Sequence, residues 1–119
     1  MSLPTDRSAR KATPIVTGCL DYFPDAIAAV AELSHYANEI HNPGEPLHWS
    51  KDKSNDHADC IGRHLLERGT FDTTSYPKPI RHSTMLAWRA LANLQIEIEE
   101  ANAPKPVDLS EYSRSVVVK

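Results

Sequence analysis

Hydrophobic positions recur along this chain with the period of a helix in three separate stretches. In the first, Ile27, Val30, Ala31, the small Ser34 and Ala37 repeat at three- and four-residue steps, with Leu33 and Ile40 beside them. Pro24 suits the first turn, where its missing N–H would be unpaired anyway. Asn42-Pro43-Gly44 stops the run near His41. The second stretch has Ser54 as a fitting N-cap, Ala58, Ile61, Leu65 and Leu66 as its apolar face, and Gly69 as its natural end. In the third, Ala87, Leu91, Leu94 and Ile98 form a stripe, with Met85 and Trp88 alongside, and Pro104 and Pro106 close it. The pattern predicts a small all-α bundle with main helices at about 24–41, 55–68 and 83–101.

What lies between and around these helices reads differently. Residues 1–18 form an N-terminal arm in which Pro4 and Pro14 discourage helix. Residues 42–53, NPGEPLHWSKDK, make a constrained loop anchored by Leu47 and Trp49, and TFDTTSYPKP reads as a second loop. The helical domain spans 19–101. Residues 102–119 are a Pro-rich C-terminal tail in which Val116, Val117 and Val118 suit a short strand or a contact with a neighbouring subunit. Three short helices bury a modest core, so a homodimer or a dimer of dimers is expected to complete it.

Composition narrows the function classes. The 119 residues carry 13 Lys and Arg against 16 Asp and Glu, a formal charge of −3. That balance argues against charge-driven nucleic-acid binding. No apolar run approaches the roughly 20 residues of a membrane span, and the polar start lacks the apolar region of a secretory signal. Cys19 and Cys60 have no metal-motif spacing and read as reduced thiols. A cytoplasmic protein with neither nucleic-acid nor membrane partners is therefore expected.

The chemistry-bearing residues fall on two helices. Asp25, Glu32 and Glu39 are spaced by seven on the first, with His35 on the same row. Asp56 and Asp59 are three apart on the second, which puts them on one face. Antiparallel helices joined by a loop can bring such rows together, and an all-oxygen set suits Mg²⁺ or Mn²⁺. Solvated helix faces are the competing reading, and Asp56 also stabilises a helix N-terminus. Six histidines are present, but Asp56-His57 reverses the His-then-Asp order of the metal phosphohydrolases. Structural hydrogen bonds are the plainer role for them.

Taken together, RKATPI (10–15), LDYFPDAIAAVAELS (20–34), NEIHNPGEPLHW (38–49), KSNDHAD (53–59), RHLLERG (63–69) and RHSTMLAWRALANLQ (81–95) resemble the N-terminal domain of the phage and bacterial dATP/dGTP diphosphohydrolases. The most specific piece is the NPGEPLHW loop followed by the Asp-His-x-Asp helix. The resemblance implies an alliance with the MazG-like all-α nucleoside triphosphate pyrophosphohydrolases. It implies Mg²⁺-dependent hydrolysis of purine deoxynucleoside triphosphates to monophosphate and pyrophosphate. Carried across, Glu32, Glu39, Asp56 and Asp59 would hold the metal, with Glu39 or Asp59 as general base. The wider group has Glu-x-x-Glu followed by Glu-x-x-Asp, whereas this chain has Glu32-Leu33-Ser34-His35 and Asp-x-x-Asp.

On this reading Lys11, Lys53 and Arg63 steady the phosphates. The 42–53 loop walls the site, with Trp49 or Tyr36 against the base and His48 toward the phosphates. The alternatives are a nucleotide-binding or sequestering protein that does not cleave its ligand, and a purely structural helical oligomer in which the acids are solvated faces.

Overall fold

In the computed structural model, which describes residues 3–103, the chain is mostly helical, with one very small sheet. A short helix α1 (Arg7–Lys11) and one π-helical turn (Val16–Leu20) precede the long α2 (Pro24–His41). A 3-10 turn (Lys51–Lys53) leads to α3 (His57–Leu66). Strands β1 (Phe71–Asp72) and β2 (Ile80–Arg81) pair before α4 (His82–Asn102). The all-α expectation holds, and the three main helices fall where the periodicity places them. No helix among the described residues is long and apolar enough to cross a membrane.

Local chemistry explains the boundaries. Pro24 starts α2. At its end Asn42 Nδ2 donates to Asn38 Oδ1 at 3.1 Å, and Gly44 takes φ +79° to reverse the chain. The second helix is shorter than expected at both ends. Ser54 is not its cap: its hydroxyl bonds the Asp56 carboxylate at 2.8 Å, and the helix begins only at His57. The arm also departs from its reading. α1 fits between Pro4 and Pro14 because Asp6 caps it, accepting from Ala9 N at 3.0 Å.

The second loop contains an antiparallel hairpin, with Phe71 opposite Arg81 and Asp72 opposite Ile80. Two-residue strands leave no alternating pattern to read. The Asp72 carboxylate organises the turn, accepting from Thr74 N at 2.9 Å and Ser75 N at 3.1 Å. Hydrogen bonds from Ser75 and Thr74 lower its pKa from 3.8 to about 2. The Arg81 guanidinium lies 4.6 Å from the Phe71 ring centroid and covers the strand pair. Lys78 ties the hairpin to α2 through Glu32 at 3.0 Å.

The core is small. Leu33 from α2, Ile80 from β2 and Met85 from α4 are buried together, with Tyr36, Tyr76 and Trp88 packed against them. Two expected core faces are not core. α3 buries His57 and Cys60, while Leu65 and Leu66 are exposed. α4 buries Thr84, Met85 and Ala92, while Leu91, Leu94 and Ile98 remain about half exposed. The helix period was right; the face turned inward was a different one. The valines of the tail lie outside the described residues.

Because so few side chains are buried, each matters. Leu33→Ala is expected to cost about 2–4 kcal/mol in a urea-unfolding measurement. Leu66→Ala, on a side chain 83% exposed, is expected to stay within about 0.5 kcal/mol. Equal losses would contradict this location of the core.

Candidate functional site: the groove between α2 and α4

A cavity of about 550 Å³ opens between α2 and α4 and is walled by the 42–54 segment. Its walls are mostly apolar, from Val30 and Ala37 on α2 to Leu91 and Ala92 on α4. The loop reaches it because two contacts pin it to α4. Trp49 meets Trp88 edge-on, with ring centroids 5.5 Å apart at 77°. Lys51 bonds Glu99 at 2.7 Å and lies 5.2 Å from the Trp49 ring centroid. That bond lowers the Glu99 pKa. It also gives one of the acids at the end of α4 a structural role. Trp88 Nε1 donates to Ser34 Oγ at 2.8 Å, which fixes α4 to α2 at the groove's edge.

The groove has a cationic corner. Arg89 Nη1 donates to Ser54 Oγ at 2.7 Å and to His57 Nδ1 at 3.2 Å. A guanidinium only donates, so His57 Nδ1 accepts and the ring carries its proton on Nε2. That Nε2 is buried and has no hydrogen-bond partner. His41 and His48 also line the groove, and among the described residues no Asp or Glu does. Loop polar groups are largely committed: His48 Nδ1 contacts Pro46 O at 3.0 Å, and Asn38 Nδ2 donates to Glu45 O at 3.1 Å.

The expected carboxylate site is arranged differently. Glu32 pairs with Lys78, and Glu39 lies 3.9 Å from His35 Nε2. Asp56 is bonded by Ser54 and Cys60, which lower its pKa against a small opposing effect of burial. It stands 3.9 Å from Arg89. Asp59 is exposed in the first turn of α3. Among the described residues no group of three or more His, Cys, Asp and Glu is gathered so as to hold a metal ion. The expected convergence of at least three of the four carboxylates is therefore absent from this arrangement, and the set does not fit Mg²⁺, which needs near-octahedral oxygen ligation.

Of the expected phosphate and base contacts, His48 and Trp49 line the groove. Lys11 is exposed at the end of α1, and Lys53 closes the 3-10 turn. Arg63 instead donates to Cys60 Sγ at 3.4 Å, and Tyr36 packs on the core. Arg89, His57 and Trp88 were not among the expected site residues. A charged Arg89 set beside the inward-facing Trp88 and Ala92 was the one signal available for them.

Neither family models, nor curated proteins, nor solved structures gave a match to the chain.

A second cluster joins α3 to the start of α4. His64 Nδ1 and His82 Nδ1 are 3.0 Å apart, and His82 Nε2 is 3.2 Å from Glu67. The His64 pKa is lowered from 6.5 by burial first, then by the charges of His82, Arg63 and Arg89, with Glu67 opposing. A lowered histidine pKa favours the fold while the ring is neutral. That contribution is complete above 6.5 and is lost as the pH falls from there toward the lowered value. Calorimetry is expected to show Tm falling by a few degrees from about pH 7.5 to about pH 5.5. His64→Gln should flatten that fall; an unchanged slope in the variant would contradict the assignment.

Proposed function

We propose that the chain binds a purine deoxynucleoside triphosphate in the α2–α4 groove, with the base against the Trp49–Trp88 pair and the phosphates toward Arg89. The observation that carries this is the lining itself. In a chain of net charge −3 with 16 acidic residues, the described residues that wall this cavity include two tryptophans, one arginine and three histidines, and no carboxylate. Its volume lies within the usual range for small-molecule sites. Indole faces suit a base, and an arginine held by Ser54 and His57 through one nitrogen keeps further N–H donors for an anion. The sequence resemblance supports the nucleotide class.

The binding form of the proposal is the better supported one, because among the described residues Asp56 alone of the four expected carboxylates is seen beside groove-lining side chains, and no group of acids is gathered there to hold a metal. Hydrolysis to monophosphate and pyrophosphate is the stronger form, and product chromatography after incubation with dATP or dGTP and Mg²⁺ decides between them.

Calorimetric titration is expected to give saturable binding of dATP or dGTP. Arg89→Gln should weaken it about tenfold or more, and Trp49→Ala should weaken binding more than it lowers Tm. Absence of binding by every purine nucleotide tested would overturn the proposal. If Trp49→Ala unfolds the chain, Trp49→Phe, which keeps an aromatic ring, carries the comparison.

A further inference from the structure

α4 has two apolar faces, and among the described residues the core uses one. Met85, Trp88 and Ala92 face the core side. Ala87, Leu91, Leu94 and Ile98 lie on a second stripe, turned about 120° away at 100° per residue. Leu91, Leu94 and Ile98 are 50%, 53% and 47% exposed. The spacing of this stripe is four, three, four, so it reads the same in both directions about a midpoint between Ala92 and Asn93. That point is also the middle of the helix, which runs His82–Asn102.

We infer that α4 pairs antiparallel with α4 of a second copy of this chain, across a two-fold axis at that midpoint. Leu91 then meets Leu94 of the other copy, and Ala87 makes room for Ile98, as knobs enter holes in a two-helix seam. A two-fold contact must be self-complementary, and a palindromic stripe is.

Charge agrees with this direction. The last turns of α4 carry Glu97, Glu99 and Glu100 and no base, which is unfavourable at a helix C-terminus. Antiparallel pairing lays that end beside the positive first turn of the other α4, which Arg81 precedes. A parallel pair would instead stack the two acidic ends. Leu91 also lines the α2–α4 groove, so the second helix would run along the groove's rim. The inference rests on α4 alone and stands whether or not the groove takes a nucleotide.

The test is sedimentation velocity and light scattering on the full chain at tens of micromolar. The expected mass is twice the 13.3 kDa of one chain. Leu91→Glu and Leu94→Glu should each weaken self-association at least tenfold. Circular dichroism should remain that of the native helices, since both side chains are already half in solvent. Leu66→Glu on α3 should leave the dimer intact.

Orientation is read by cross-linking in a Cys19→Ser background. A mixture of Leu91→Cys and Leu94→Cys chains should form a 91–94 disulfide faster than either chain alone. A monomer at all concentrations would overturn the inference, as would a dimer indifferent to both glutamates. Faster cross-linking of Leu94→Cys with itself would overturn the antiparallel geometry.

Discussion

The contact on which the rest depends is made by one side chain, Trp88. Its ring packs on the buried Leu33, Ile80 and Met85. Its Nε1 bonds Ser34 on α2 at 2.8 Å, and its edge meets Trp49 from the loop. Core, helix pairing and loop position therefore meet at one indole. A domain with so few buried side chains has little other means of fixing α2 against α4. The groove opens beside this contact, with Ser34 and Trp88 both in its wall.

Polar contacts then shape what the groove offers. Lys51 and Glu99 draw the loop down onto α4, so its Trp49 becomes a wall. Arg89 is oriented by Ser54 and His57, and Asp56 remains 3.9 Å away and exposed. Positive charge faces inward at that corner while the acids of α2 pair outward, Glu32 with Lys78 and Glu39 toward His35. This arrangement leaves a guanidinium in the groove wall and, among the described residues, gathers no carboxylates for a metal.

Much of the architecture was legible in the sequence, because Pro24, the Asn42-Pro43-Gly44 stop and Gly69 are strong local punctuation. The loop was legible as more than a connector, since Trp49 and His48 are unusual choices there. Which face each helix buries was not. On α4 both Met85–Trp88–Ala92 and Leu91–Leu94–Ile98 have helical spacing, and the choice between them is made by Ile80, which arrives from a hairpin too short to leave a pattern. The site was only half legible for the same reason. Spacing places Glu32 and Glu39 on one row and Asp56 and Asp59 on another, but the relative rotation of two helices is set by tertiary packing.

Both tryptophans of the chain, Trp49 and Trp88, line the groove, so tryptophan fluorescence, excited at wavelengths that tyrosine does not absorb, reports on that site. The most direct measurement is a fluorescence titration of the native chain with dGTP, set beside inorganic tripolyphosphate, which carries the charge without the base. Binding of the base against the indoles predicts saturable quenching by dGTP and none by tripolyphosphate. An emission spectrum unmoved by dGTP, or moved equally by both, would contradict it.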